Sequence, residues 1–366
     1  MKLLLLSDPN SSHTIKWAKS LAKNSIDIII FGLGNFTVKN YEGIENIQVQ
    51  TLNHNITRNE GAFSKLYYLK AVPTLKKLIQ EFNPDIVHAH YASSYGLLGA
   101  LSGFTPFIIS VWGGDIFSFP EKSFLHKGML KYNLKKADKI LSTSHVMAKE
   151  TKRYTNKEIE VTPFGIDIEQ FKPRDTKEEL FASDDIVIGT VKTLEPIYGI
   201  EYLIRAFKIL SDKYKELPLR LLIVGGGSLE IPLKQLARDL KIDNKTIFVG
   251  KVPFENVAKY HNMLSVSVSV SNTESFGVAV IEASSCGKPV VVSNVGGLPE
   301  VVEDKVSGLV VPPRDPKETA KAIEKLVLDL ELRTTLGKNG RDRVLELYNW
   351  ENNINQMISI YKEVLK

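Results

Sequence analysis

The sequence is nearly free of cysteine. Its 366 residues contain only Cys286, so no internal disulfide can form and a disulfide framework of the secreted kind is excluded. A reducing, cytoplasmic location is the matching expectation. Long apolar runs are missing too, since no stretch approaches the ~20 residues that a membrane-spanning helix needs. The opening Met1-Lys2-Leu3-Leu4-Leu5-Leu6-Ser7-Asp8 has too short an apolar part for a signal peptide, and it runs straight into turn residues. It reads as a first buried strand. The histidines are scattered without metal-ligand spacing, and no low-complexity tract or short repeat is visible.

What is present describes an ordinary globular chain, 43% hydrophobic and 24% charged. The length exceeds what a single core usually supports, so two domains are expected. The net charge of +5 is uneven: 21 of the 47 Lys/Arg and 15 of the 42 Asp/Glu lie in residues 1–172, leaving 26 against 27 beyond. A positive first half suits anionic phosphates or an anionic membrane face, and is equally at home as plain solvated surface.

Short apolar runs alternate with amphipathic helical patterns from the first residue, the signature of βαβ units in a parallel sheet. The expected fold class is α/β. Strands are predicted at residues 2–7, 26–31, 85–88, 107–111, 139–142 and 159–162, then at 186–191, 220–224, 247–249, 265–270, 289–293 and 308–311. The pattern breaks into turn residues and charge around Pro163-Phe164-Gly165-Ile166-Asp167 and Phe171-Lys172-Pro173-Arg174-Asp175, as a linker would. From Asp315 onward the chain reads as helix, with Asp315 as cap, Pro316 at the first helical position, Glu318 completing a capping box, and breaks near Gly337 and Gly340. Two similar halves hinged together predict a cleft whose ligand touches both.

The segment from Ser271 to Pro289 carries the densest chemistry and predicts strand, tight loop, helix and strand, with the helix over about residues 276–286. Such a helix start at the carboxyl edge of a parallel sheet offers the free amides of Phe276, Gly277 and Val278 and a positive dipole end, which favour a phosphate. Gly277 would let that ligand approach closely. Glu274 stands just before the helix, while Glu282 sits two turns inside it amid Val278-Ala279-Val280-Ile281 and Ala283. A carboxylate buried there needs a partner, and a ligand hydroxyl is one.

At this segment the sequence resembles glycosyltransferase family 4, retaining enzymes of the GT-B fold with two Rossmann-like domains facing across a cleft. The likeness continues through Gly296-Gly297-Leu298-Pro299-Glu300 and Ser307-Gly308-Leu309-Val310-Val311-Pro312-Pro313, and it covers nearly the whole chain. It implies an N-terminal acceptor-side domain of residues 1–172 plus 348–366, the last helix crossing back at Tyr348-Asn349-Trp350, and a C-terminal donor-binding domain of 173–347. It implies that Glu274 stabilises the reacting sugar, that Phe276, Gly277 and Val278 contact sugar and phosphate, and that Glu282 holds the ribose. Gly225 would belong to the glycine turn near the nucleotide, and Val252 to the base-recognition turn. Ser11 and Ser12, in the loop after the first strand, would contact donor phosphate, with His13 beside them on the acceptor side. No cofactor or metal is implied, only a UDP- or GDP-linked sugar as co-substrate.

The chain departs from the family pattern twice. Where members place Arg and Lys on the donor diphosphate, this sequence has Thr193 and Tyr198, leaving Lys192 one step away as the best cation, with Arg205 or Lys288 as substitutes. Where many members have His-Gly-x-Asp, it reads Trp112-Gly113-Gly114-Asp115. Trp112 can stack or shape a pocket but cannot transfer a proton; Asp115 either meets an acceptor or sugar hydroxyl or caps the next element.

The function expected is sugar transfer from a nucleoside-diphosphate sugar to a saccharide or lipid-linked acceptor, in cell-surface polysaccharide or glycolipid biosynthesis. The alternatives are an inactive nucleotide-sugar-binding module or another GT-B enzyme such as a sugar-nucleotide epimerase. Gly225-Gly226-Gly227 superficially invites a dinucleotide-binding reading, but Glu230 stands where that fingerprint needs Gly or Ala. Residues 124–136 interleave apolar side chains with Lys127, Lys131 and Lys135, as a basic amphipathic helix at an anionic membrane or an ordinary packed surface helix would. No nucleic-acid partner is expected.

Overall fold

The computed structural model describes residues 1–52, 64–176 and 180–366. The chain divides into two compact units, Met1–Pro163 with Asn353–Lys366, and Phe164–Asn352. The turn-rich residues 164–172 and the stretch 348–352 thus group with the second unit.

Among its described residues the first unit has seven parallel strands: β1 (Lys2–Leu6), β2 (Asp27–Gly32), β3 (Ile47–Thr51), β4 (Ile86–His90), β5 (Phe107–Val111), β6 (Lys139–Ser142) and β7 (Ile159–Val161). Their spatial order is β3-β2-β1-β4-β5-β6-β7. Central strands of a parallel sheet covered by helices on both faces are apolar throughout, and Leu3, Leu4, Leu5 and Leu6 of β1 are all fully buried. The sequence reading missed β3, whose Ile-Gln-Val-Gln-Thr lacks an apolar run because only Ile47 is buried at this sheet edge. Tyr361 on the final helix, Trp350–Val364, is among the largest buried side chains. Its hydroxyl lies 2.8 Å from His88 Nδ1, tying the C-terminal segment to the first unit's sheet.

The described residues of the second unit form six parallel strands: β8 (Ile186–Val191), β9 (Leu219–Val224), β10 (Thr246–Gly250), β11 (Val266–Ser269), β12 (Val290–Ser293) and β13 (Leu309–Val311). They lie in the order β10-β9-β8-β11-β12-β13. Its main core packs strand residues such as Ile188, Leu221, Val266 and Val291 against Phe207, Ile323 and Leu326 of the covering helices.

Asp315 caps the helix Pro316–Leu328 by accepting from the amides of Lys317 and Glu318. The Glu318 carboxylate turns instead to Lys321, 2.5 Å away. The breaks expected at Gly337 and Gly340 do not occur, since one helix runs through both, Leu330–Leu347. These glycines serve packing. A Cβ on Gly337 would sit 2.3 Å from the carbonyl oxygen of Gly287, and one on Gly340 3.1 Å from that of Ser307. The chain breaks earlier, at Asp329, whose side chain caps the new helix through Leu332 N–H.

Candidate functional site

In the second unit the strand order reverses between β8 and β11, and the loops leaving these two parallel neighbours open at the same edge. A switch point of this kind is where doubly wound sheets bind ligands. Lys192 follows β8 directly, and Glu274 lies in the loop after β11. The structure joins them: Lys192 Nζ lies 2.7 Å from Glu274 Oε2, with the two side chains 14% and 10% exposed. The same ammonium stands 4.1 Å from the ring centroid of Tyr198, close enough for cation–π attraction. Thr193, in register with the family's first basic position, is exposed. Lys192 therefore provides the local positive charge, and Tyr198 holds it from the other side.

Glycines set the backbone beneath this pair. Gly225, at φ +140°, would place a Cβ 1.9 Å from the carbonyl oxygen of Lys192, and Gly296, at φ +51°, one 1.7 Å from that of Glu274. Neither position tolerates a side chain, so the turns after β9 and β12 lie directly against the residues that carry the charges. Gly297 N–H also donates to Glu274 O at 3.1 Å. The amide of Gly225 donates to Gly250 O, which brings the turn containing Val252 to the same edge.

The helix after Glu274 runs Val278–Ser285, with Gly277 before it at φ +117°. Among the described residues, the amides of Phe276, Gly277 and Val278 donate to no protein acceptor. Phe276 and Gly277 are buried, Val278 is half-buried. Protein packing and backbone angle alone already require glycine at 277, since a Cβ there would meet Leu298 Cδ2 at 2.9 Å.

Glu282 is buried as expected, at 7% exposure. Its partner comes from the protein: Oε2 lies 3.3 Å from Nε2 of His261, itself fully enclosed. Among the described residues, His261 Nδ1 has no hydrogen-bond partner. The sequence reading missed this histidine, which reaches Glu282 from the helix Phe254–Met263 and shares no local pattern with it.

One of the two substitute cations does not belong to this edge. Arg205 is exposed on the helix Ile200–Lys213. Lys288 stands just before β12, at the opposite end of the strands from Lys192 and Glu274.

The first unit has its own switch point, between β1 and β4. Ser7 Oγ lies 3.2 Å from His90 Nδ1 and 2.7 Å from Thr14 Oγ1. His88 is held by Ser110 Oγ and the Tyr361 hydroxyl, each at 2.8 Å. Burial keeps both imidazoles neutral, lowering His88 to about 3 and His90 well below its ordinary value, the latter with help from His88 and His13. Above them Trp112 stacks at 4.2 Å on His90, with His13 and Tyr91 edge-on at 5.7 and 5.8 Å. Tyr91 adopts φ +77°, a costly angle for a side chain of its size. Ser11 precedes the helix Ser12–Lys23 without capping it, and Ser12 is exposed.

Asp115, expected to meet an acceptor or sugar hydroxyl or to cap the next element, is tied to backbone. It is 1% exposed, and its two oxygens accept from the amides of Ala92, Trp112 and Gly113 at 2.7–3.2 Å. Burial pushes its carboxyl up while those amides pull it back down. A carboxylate accepting from three backbone donors fastens the β4 and β5 loops together.

The fold and the second unit's edge define a doubly wound enzyme class whose members hold anionic ligands at strand carboxyl ends. Residues 171–343 match the family model for glycosyl transferases group 1, and residues 2–144 match that for glycosyl transferase 4-like proteins. The chain belongs to the group 1 glycosyltransferases, with the GT-B class of two parallel-sheet α/β domains. It is 26% identical to N-acetyl-alpha-D-glucosaminyl L-malate synthase of Bacillus anthracis over 86% of this chain and 84% of that protein. The solved structure of sucrose-phosphate synthase from Thermosynechococcus elongatus superposes with a TM-score of 0.86 at 23% identity, covering 100% of this chain and 99% of the other. Anabaena HepE, solved in complex with UDP-glucose, gives a TM-score of 0.80 at 20% identity over 99% of this chain and 100% of its own. No described helix is long and apolar enough to cross a membrane.

Proposed function

We propose that the chain transfers a sugar, with retention of anomeric configuration, from a nucleoside-diphosphate donor held by the second unit. The observation that carries this reading is the Lys192–Glu274 pair beside the three amides of Phe276, Gly277 and Val278. Lys192 and those amides supply preorganised positive charge for a diphosphate, so charge developing on the leaving group is met without reorganisation. The donor is a co-substrate, and this reading requires no metal or cofactor.

In the proposed reaction the bond from the sugar's anomeric carbon to the diphosphate oxygen breaks. The acceptor oxygen bonds to that carbon on the same face, and its proton passes to the departing phosphate. Glu274 releases Lys192 to the diphosphate and turns to the reacting sugar. Glu282, aligned by His261, takes the ribose hydroxyls, while Gly225 and Val252 border the nucleotide. HepE's complex with UDP-glucose favours a UDP-linked sugar.

His13, Trp112 and Tyr91 supply aromatic faces for the acceptor. The basic helix Phe124–Lys136 leaves Phe124 81% and Leu125 68% exposed beside the exposed Lys127, Lys131 and Lys135, which suits a lipid-linked acceptor at an anionic membrane face.

Titrating UDP- and GDP-sugars into the protein, followed by turnover assays of Glu274→Gln and Glu282→Ala, tests the scheme. The first substitution should lose mainly turnover and the second mainly donor affinity. Full activity in both variants would refute the site.

A further inference from the structure

The segment after β8 ends in a short 3-10 turn, Pro196–Tyr198, and the Lys192 ammonium rests 4.1 Å from the ring centroid of Tyr198. So short a turn has few bonds of its own, and its neighbours fix it. On one side Glu195 accepts from Ser228, from the amide at 2.9 Å and from the hydroxyl at 2.5 Å, which ties the segment to the loop after β9. On the other stands Asn272, two residues before Glu274 in the loop after β11. It donates its backbone N–H to Ile197 O and its side-chain Nδ2 to Pro196 O, both at 2.8 Å.

The second clasp calls for an amide. Arg314 Nε donates to Asn272 Oδ1 at 3.0 Å. A guanidinium only donates and a backbone carbonyl only accepts, so an amide between the two is satisfied in a single orientation, oxygen toward Arg314 and nitrogen toward Pro196. Arg314 itself adopts φ +59°, a backbone angle that favours glycine, and it is exposed, so core packing does not offset the strain. What the arginine adds over glycine is the bond to Asn272.

From this network we propose that Asn272, oriented by Arg314, is a positioning residue of the donor site. By holding Pro196 and Ile197 it sets where the Tyr198 ring stands, and through that ring where Lys192 meets a diphosphate. The loop that carries Glu274 and the turn that carries Tyr198 are thereby joined, so the two groups around the ammonium keep one spacing. The inference rests on the proposed role of Lys192 toward a nucleoside diphosphate.

UDP and GDP are the probes. The one that the parent chain binds more tightly is titrated calorimetrically into the full chain, Asn272→Leu, Arg314→Gly, the double variant Asn272→Leu/Arg314→Gly and Lys192→Ala, and each protein is also unfolded with denaturant. Asn272→Leu keeps the size, changes no charge and bonds to neither partner, so affinity should fall about threefold, the scale of the Tyr198 contact it places. Arg314→Gly relieves the left-handed angle and frees the amide to turn; affinity should fall about twofold while the unfolding midpoint stays level or rises. The double variant should bind no more weakly than Asn272→Leu, because Arg314 acts through Asn272. Lys192→Ala should lose about tenfold or more.

Parent-like affinity in Asn272→Leu beside a full loss in Lys192→Ala overturns the inference and leaves the donor reading standing. So does a further loss in the double variant, which would make Arg314 a distant charge, or a midpoint that falls with affinity in Arg314→Gly, which would make it a general stabiliser. Unchanged affinity in Lys192→Ala, or no binding of either nucleotide by the parent chain, removes the donor reading and this inference with it.

Discussion

Lys192→Ala is the most informative single perturbation. In the parent chain the ammonium is 2.7 Å from Glu274 and 4.1 Å from the Tyr198 ring, and only 14% of its side chain is exposed. Truncation has two separable effects. It leaves a mostly buried carboxylate without its partner, at a cost of about 1–3 kcal/mol to folding, below the range for fully buried pairs because water still reaches both groups. In the proposed reaction it also removes a side-chain cation assigned to the leaving diphosphate. Loss of a single preorganised donor at such a centre costs about 10²–10³ in turnover. The assays are chemical denaturation and sugar transfer or donor hydrolysis at saturating donor. Tyr198→Leu, which keeps bulk but removes the π face, should cost only about 0.5–1 kcal/mol in either measurement. Turnover of Lys192→Ala within threefold of the parent would refute the assignment of Lys192 to the diphosphate.

Gly296→Ala forces a Cβ against the Glu274 carbonyl, 1.7 Å away, in a left-handed backbone; turnover should fall at least as far as stability, by about 1–3 kcal/mol, and a fully active variant would show that Glu274 need not stay where it is. Gly337→Ala collides with the Gly287 carbonyl far from the donor edge, so thermal unfolding should drop by a similar ~1–3 kcal/mol while donor affinity at permissive temperature holds. The unfolded His88 takes up a proton near its ordinary value of about 6.5, whereas the folded one does so only at about 3, so the unfolded state binds more protons between those values. Stability is complete above that window and lost as pH falls through it, by up to ~1.4 kcal/mol per pH unit for this residue. Denaturation at pH 7 and pH 5 should show a smaller pH effect in His88→Gln, and an unchanged effect would remove His88 from the account.

Much of the site's raw material was legible locally. Apolar residues named twelve of the thirteen strands found among the described residues, the central ones being apolar along their length because helices cover both faces. β3 escaped because its apolar residues alternate with glutamines and only Ile47 is buried. The helix after Glu274 was legible from its flanking glycines and proline. What those glycines accommodate was not, since Gly277 faces Leu298, and Gly337 faces Gly287 fifty residues earlier.

By itself the sequence determined the α/β class, the two-sheet organisation, the positions of the turns and the identity of the charged residues near them. These follow from hydrophobic period and backbone preference, which act over a few residues. Only the tertiary structure decided which charges meet. It turned Lys192 toward Glu274 and Tyr198, gave Glu282 a histidine from another helix, committed Asp115 to three backbone amides, and sent Lys288 to the far edge of the sheet. Side-chain partners across a sheet are set by strand order and crossover, and no local pattern in the chain encodes that order.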